Sequence, residues 1–129
     1  DEIKAKAFLE AKVVLNNLHP SEVYGLNKRA FEACGIGAFQ MLDWTPGLPQ
    51  LFEPDEEVVV FRDMVELKEK LDHYLEDKAA RRRIARAGKK RAMEEHTYRD
   101  RLELMLDTVF GDSKGFPMPD IEVASQTTN

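Results

Sequence analysis

The segment Glu57-Val58-Val59-Val60-Phe61-Arg62-Asp63-Met64-Val65-Glu66-Leu67 decides the fold class of this chain. Its first half is a short apolar run, rich in β-branched residues and charged at both ends, which is typical of a buried strand. Apolar residues then recur at helical spacing, at Val65, Leu67, Leu71, Tyr74 and Leu75. Asp63 precedes them and offers a carboxylate as N-cap. The segment therefore predicts a buried strand followed directly by an amphipathic helix.

The residues upstream alternate in the same way between helical and strand patterns. A short alanine-rich helix is predicted over residues 3–11, and the apolar run at residues 13–15 predicts a strand. Gly25 precedes a helix expected over about residues 26–35, and residues 38–42 predict another strand. Residues 44–49 contain two prolines and a glycine, which predicts a loop, with a single helical turn at Leu51-Phe52.

Downstream of the deciding segment the pattern is helical. Ile84, Ala87 and Ala92 mark a second helix, and Thr97 with Asp100 resembles a capping box that opens a last helix. Gly111 ends that helix. We therefore expect a folded domain over residues 1–111 and a flexible tail over residues 112–129, where two prolines interrupt a sequence without period.

Strands that alternate with helical crossovers imply a parallel sheet with helices on both faces. The expected fold is thus α/β, a partial Rossmann-like layer of about three parallel strands with flanking helices. Most sheets contain more strands. Further strands are expected upstream of this chain, or a second copy of the chain is expected to cover the narrow sheet.

Composition narrows the class of protein. The chain has 129 residues, 43% of them hydrophobic and 33% charged, with a net charge of −5, which is ordinary for one soluble domain. Its acidity argues against a nucleic-acid binder, and Cys34, the single cysteine, excludes an intrachain disulfide. No apolar stretch approaches the roughly 20 residues of a membrane span. No basic-then-apolar signal segment opens the chain either, which favours a cytoplasmic location. Because the chain begins at Asp1 rather than Met, we expect it to be a fragment of something longer.

In open parallel sheets, ligands bind beyond the carboxyl ends of the strands. The most informative segment there is Asn16–Asn27, since Gly25 lets a ligand approach the backbone and the following helix start offers unpaired N–H groups. Arg29 adds a bidentate anion contact, and Glu32 stands one turn further, where a carboxylate suits a ribose diol. Spacing alone leaves a second reading open, in which Lys28 and Glu32 form an ordinary surface pair.

Other candidates each have two readings. His19 is a candidate catalytic base or a structural loop residue, and Trp44 stacks on a ligand or closes the core. The basic run at residues 78–91 would bind an anionic polymer or form a solvated helix face; flanking acids and the absence of interleaved aromatic residues favour the solvated face. Neither His73 nor His96 has companions spaced as metal ligands, so no metal site is predicted.

Several of these motifs together resemble the spore-maturation-type glycosyltransferase-like proteins, relatives of the group 1 glycosyltransferases. The resemblance begins with His19-Pro20 and Gly25-Leu26-Asn27-Lys28-Arg29-Ala30-Phe31-Glu32-Ala33, followed by Gly37. It continues through Leu51–Pro54, Glu57–Asp63, Glu66-Leu67, Tyr74-Leu75, Ile84–Gly88 and His96–Arg101. It covers about residues 10–106 in collinear order, and the order and spacing make it more specific than any single motif.

The resemblance implies a GT-B architecture, with this chain as the latter part of the C-terminal domain that holds a nucleoside diphosphate sugar. Glu32 then matches the ribose-binding glutamate, and Gly25, Leu26, Asn27 and Arg29 match the turn and helix start beside the diphosphate. The implied donor substrate is a nucleotide sugar, with no metal or other cofactor. The implied partner is an N-terminal acceptor domain that is missing here.

One position departs from the group 1 pattern. Many of these enzymes carry a second glutamate eight positions before the ribose-binding one, and this sequence has Tyr24 there. Glu22 lies close, but its register is off by two. Tyr24 cannot serve as that carboxylate, so the segment favours binding over catalysis. The alternative function is a non-catalytic α/β module for protein interaction or self-association.

Overall fold

The computed structural model describes residues 2–111 and confirms the α/β class. Its elements are α1 (Glu2–Glu10), β1 (Val14–Asn16), α2 (Lys28–Ile36), β2 (Gln40–Asp43), a 3-10 turn (Leu48–Gln50), β3 (Val59–Phe61), α3 (Met64–Glu76), α4 (Lys78–Glu95) and α5 (Tyr98–Phe110). The three strands form one parallel sheet in the order β1-β2-β3. The predicted tail, residues 112–129, lies outside the described residues.

The sheet is packed on both faces, as the continuous apolar strands predict. On one face, Leu42 and Val60 join a cluster with Cys34 of α2 and Ala92 of α4. On the other, Met41 and Val59 pack with Phe39, Phe61, Leu67 of α3 and Ile84 of α4. β2 and β3 therefore bury side chains on both faces, which is why neither strand shows polar alternation.

Close contact between α2 and α4 depends on a small residue. A Cβ added at Gly88 would collide with the backbone carbonyl oxygen of Glu57 and lie 3.2 Å from the Cys34 sulfur. The Cys34 thiol, only 1% exposed, also accepts from Nε2 of Gln40 at 2.9 Å. Cys34 is therefore buried and is part of the helix–sheet contact.

Capping carboxylates fix the starts of α3 and α4, and one buried cation fixes the turn between them. Asp63 caps α3 through the Glu66 N–H (2.8 Å), as predicted, and Asp77 caps α4 through the Ala80 N–H (2.9 Å). Arg81, 9% exposed, donates from Nη1 to the carbonyl oxygens of Tyr74 (2.6 Å) and Leu75 (2.9 Å). The prediction of a solvated basic face is wrong for Arg81, because α3 leaves carbonyls there that need a donor.

The other differences are local. The helical turn predicted at Leu51-Phe52 lies instead at Leu48–Gln50, where Pro49 fits the first turn, and Phe52 is fully buried in the core. The described chain divides after Thr97 into two compact units. In the second unit, α5 carries no buried residue and ends before Gly111, whose φ of 70° is the left-handed conformation expected of a stop.

Candidate functional site at the carboxyl edge of the sheet

The parallel register brings three chain segments to one edge of the sheet. Asn16 pairs with Leu42, and Asp43 pairs with Phe61, so the three strands end side by side. The Asp43 carboxylate accepts a hydrogen bond from the Leu18 N–H at 2.8 Å, which ties the loop after β1 to the end of β2. The loops that follow the strands are therefore neighbours in space.

The start of α2 is fixed by two asparagines. Asn16, fully buried, and Asn27 exchange two side-chain amide hydrogen bonds of 3.0 Å each. Asn27 also accepts from the Ala30 N–H at 3.1 Å and is the N-cap of α2. Asn27 was predicted as a ligand contact, and here its side chain is committed to the helix start. Sequence reasoning missed Asn16, although a polar residue ending a buried strand is a usable signal.

The first turn of α2 presents positive charge at this edge. Lys28 and Arg29 are both exposed there, and no acidic residue occupies the turn. The helix dipole adds to that charge. Leu26 is partly buried against the core and anchors the turn. A Cβ at Gly25 would meet nothing within 4 Å, so the space beside this glycine is open to an approaching group.

Glu32 lies between two lysines. Its carboxylate forms ion pairs with Lys4 of α1 and with Lys28 at 3.3 Å, and the side chain is 29% exposed. The hydrogen bond from Lys4 lowers the pKa of the Glu32 carboxyl, burial opposes this, and Lys28 lowers the pKa further. The expected Lys28–Glu32 pair is present, while the Lys4 contact comes from 28 residues away and had no sequence signal.

Tyr24 closes over the loop that follows β2. Its carbonyl oxygen accepts from the Gly47 N–H at 3.0 Å, and its hydroxyl accepts from Nε2 of Gln50 at 3.1 Å. A Cβ at Gly47 would lie 2.6 Å from that carbonyl oxygen and 2.8 Å from the tyrosine ring. Nearby in sequence, the Thr45 hydroxyl is buried with no hydrogen-bond partner among the described residues. The structure thus gives Tyr24 a packing role that the sequence did not predict.

Trp44 and Arg62 form a second feature of the edge. Trp44 follows β2, is partly buried and packs against the core cluster, while the Arg62 guanidinium lies 4.4 Å from its ring centroid. This is a cation–π contact between the loops after β2 and β3. Of the two roles weighed for Trp44, core closure is present. Sequence reasoning gave no sign of this pairing.

His19 belongs to a locally bonded loop. Its Nδ1 accepts from the Ser21 N–H at 3.2 Å, and its backbone N–H donates to the Glu22 carboxylate at 2.9 Å. Because Nδ1 is an acceptor, the neutral ring carries its proton on Nε2. His19 is exposed. The loop orients the ring, and no described contact joins the ring to Glu32 or Arg29.

Two features of residues 2–111 bear on the class of site: the grouping of metal-ligating side chains and the length of the apolar helices. No three His, Cys, Asp or Glu side chains in that range gather as they would around a metal ion. None of the helices there is long and apolar enough to cross a bilayer. The arrangement that remains is a capped helix start with two exposed cations and an ionised glutamate one turn along.

An open parallel sheet with this edge defines a Rossmann-like α/β domain. Residues 3–107 match the family model described as "Glycosyl transferase-like", and the chain belongs to that family. Membership indicates sugar transfer as the general activity. No curated protein and no solved structure matches the chain.

Proposed function

We propose that this chain is the nucleotide-sugar-binding portion of a spore-maturation-type glycosyltransferase of GT-B architecture. The diphosphate lies at the helix start formed by Gly25, Leu26, Asn27 and Arg29, and the ribose lies on Glu32. The observation that carries the proposal is the juxtaposition of an exposed cationic helix start and an ionised carboxylate at the carboxyl edge of the sheet.

The spacing of Arg29 and Glu32 suits a nucleoside diphosphate. Three residues of helix separate them by about 4.5 Å along the axis, comparable to the distance between a ribose and its first phosphate. The lowered pKa of Glu32 supports a carboxylate that accepts from the ribose hydroxyls at neutral pH. Each of its oxygens has one lysine partner, which leaves a lone pair on each for a hydroxyl donor.

Asn27, Gly25 and Arg29 each contribute to diphosphate binding in a different way. Since the Asn27 side chain is engaged with Asn16 and Ala30, its contribution to a diphosphate comes from the helix start that it fixes. Gly25 contributes the open space in which a phosphate approaches the backbone. The exposed Arg29 guanidinium supplies the positive charge that stabilises the leaving diphosphate, which is the main catalytic contribution proposed for this half.

Tyr24 limits what this half does on its own. A neutral phenol at this position supplies no carboxylate beside the transferred sugar, and its hydroxyl is paired with Gln50. We therefore assign the chain to donor binding and leave acceptor binding to an N-terminal domain across the cleft, in a cytoplasmic protein. His19 is kept as the candidate base. Its ring is exposed and held by the loop, and Nδ1, which accepts from the Ser21 N–H, is the nitrogen that would take up a proton.

The direct test is an NMR titration of the protein with uridine, guanosine and adenosine diphosphates. We expect saturable shifts over residues 24–32 with at least one of them. Arg29→Ala and Glu32→Gln should each weaken binding at least about tenfold, since each removes a charge-assisted contact. Arg83→Ala and Glu69→Gln, which change the same charges on exposed positions of α4 and α3, serve as matched controls.

A second candidate function has one observation in its favour. Among residues 2–111 the outer edge of β1 has no partner strand, and Leu15 on that strand is 52% exposed. Such an edge pairs readily with another strand, either from the rest of a larger sheet or from a second copy. If no nucleoside diphosphate shifts residues 24–32 at millimolar concentration and sedimentation shows dimers, self-association replaces the donor-binding proposal.

A further inference from the structure

A cleft of about 630 Å³ opens at the opposite edge of the sheet, where the strands begin. It lies between the end of α1 with the approach to β1, the residues before β2, and the turn that joins α3 to α4. The volume falls within the range of about 300–1,000 Å³ that is usual for small-molecule sites. The candidate donor site at the carboxyl edge shares no residue with it.

The lining of this cleft is strongly cationic. Lys12, Lys78, Arg81 and Arg82 line it, against a single acidic lining residue, Glu10, whose carboxylate lies 3.8 Å from the Lys6 ammonium. Within the described part of the chain, Lys12, Lys78 and Arg82 form no salt bridge with a carboxylate. The cleft therefore holds an excess of positive charge although the whole chain has a net charge of −5.

The acidic groups nearest to α4 in sequence do not cancel that excess. Asp77 directs its carboxylate to the Ala80 N–H as the N-cap of α4 and does not line the cleft. Glu76 is exposed at the end of α3, also outside the lining. The first turn of α4, which contains Lys78, contributes helix-dipole charge of the same positive sign.

Arg81 gives the cleft a fixed, buried cation. The side chain is 9% exposed, and its Nη1 atom donates to the carbonyl oxygens of Tyr74 and Leu75. Those contacts anchor the guanidinium without neutralising it, since carbonyl groups carry only partial charge. The guanidinium therefore keeps a full positive charge that attracts an anion entering the cleft. Arg81 thus pre-orders the charge that an incoming anion would meet.

The remaining lining is apolar. Phe8, Phe39, Leu75 and Ala85 contribute to it, with Phe39 buried in the core and Leu75 39% exposed. A ligand that fills the cleft meets cations on one part of its surface and carbon on another. That pattern fits an amphipathic anion better than an inorganic ion or a neutral apolar molecule.

We propose that this cleft binds a small phosphorylated molecule with an apolar portion. Lys78 and Arg82 contact the phosphate near the fixed Arg81, with Lys12 from the approach to β1, and Phe39 and Leu75 contact the apolar portion. The site is independent of the proposed donor site, because the two lie at opposite edges of the sheet.

The test is an NMR titration of the protein with phenyl phosphate, inorganic phosphate and phenol at low salt, where charge contacts are screened least. We expect saturable shifts over residues 10–12, 37–39 and 75–85 with phenyl phosphate, weaker binding of inorganic phosphate, and none with phenol. Lys78→Ala with Arg82→Ala should weaken phenyl phosphate at least about tenfold.

Two control variants keep the proposal open to refutation. Arg83→Ala with Lys90→Ala removes the same charge from exposed positions of α4 outside the cleft and should change affinity less than about twofold. Glu32→Gln should leave it unchanged, which separates this site from the donor site. No saturable shift with phenyl phosphate, equal binding of inorganic phosphate, or equal weakening by the two double variants would each overturn the proposal.

Discussion

Asn16 and Asn27 exchange two side-chain hydrogen bonds, and this pair joins the end of β1 to the start of α2. Each amide both donates and accepts, and Asn27 uses the same oxygen to cap the helix. Because Asn16 is fully buried, its amide has no water to replace a lost partner. The position of the cationic first turn, and with it the proposed diphosphate site, depends on this pair.

Replacing Asn16 should therefore destabilise the fold. We expect Asn16→Ala to lower the free energy of unfolding by about 1–3 kcal/mol, since it removes two hydrogen bonds and leaves a cavity. Urea denaturation measures the effect. Asn17→Ala is the matched control, because Asn17 is exposed beside it and should change stability by less than about 0.5 kcal/mol. Equal stability of the two variants would contradict the assignment.

The two glycines of the carboxyl edge should respond differently to alanine. Gly47→Ala forces a methyl group against the Tyr24 carbonyl and ring, and we expect a loss of about 1–3 kcal/mol. Gly25→Ala meets nothing and should leave the thermal midpoint unchanged, while it weakens binding of nucleoside diphosphates if the phosphate approaches there. A Gly47→Ala protein as stable as the parent would show that the loop after β2 shifts to make room for the methyl group, which would contradict the prediction.

The Lys4–Glu32 pair should make a pH-dependent contribution to stability. The folded pKa of Glu32 lies below the ordinary value of a glutamate, so the contribution is fully present above that ordinary value. It is lost as the pH falls through the lowered folded pKa. Carbonyl-detected NMR titration should give a higher Glu32 pKa in Lys4→Ala than in the parent protein. Lys6→Ala on the same helix is the control, and an identical shift there would refute the assignment.

Arg81 should contribute more to the free energy of unfolding than an exposed arginine of the same helix. Arg81→Ala leaves the carbonyls of Tyr74 and Leu75 without their donor, and we expect a loss of about 2–3 kcal/mol in chemical denaturation. Arg83→Ala removes an exposed arginine from the same helix and should stay within about 0.5 kcal/mol. Similar losses for the two variants would mean that charge, rather than the buried contacts, controls stability.

The Cys34 thiol should be unreactive in the folded protein. Burial raises the pKa of its thiol to about 12, against a smaller opposing effect of the Gln40 hydrogen bond. Because the thiolate is the reactive form, a disulfide reagent such as dithionitrobenzoate should not label it at pH 8. In guanidinium chloride labelling should be complete. Rapid labelling under native conditions would show that α2 opens readily from the sheet.

The elements could be predicted from the sequence where their causes are local. The apolar run at residues 58–61 is buried and contains β3, and the Asp63 cap lies three residues from the N–H that it binds. The periodicity of α3 and α4 likewise reflects neighbours one or two turns apart. The turn predicted at Leu51-Phe52 begins three residues earlier, at Leu48, where Pro49 fits the first turn, and the N–H groups of Leu51 and Phe52 close it on the Leu48 carbonyl oxygen.

The candidate site was predictable only in outline. The sequence placed Gly25, Arg29 and Glu32 near one helix start, since these residues are close along the chain. It gave no sign that Lys4 would reach Glu32 or that Tyr24 would cover Gly47. Such contacts join residues far apart in sequence, and the geometry of the crossovers decides which of many possible partners meet.

The sequence by itself determined the α/β class, the Asp63 cap of α3 and the charge at the start of α2, because these follow from periodicity and from interactions within a few residues. Only the tertiary structure decided which groups those charges face. It paired Asn16 with Asn27, held Glu32 ionised between two lysines, and buried Arg81 beside the cleft at the opposite edge. The physical reason is that the parallel register brings distant segments together, and burial then fixes which of their polar groups must find a partner.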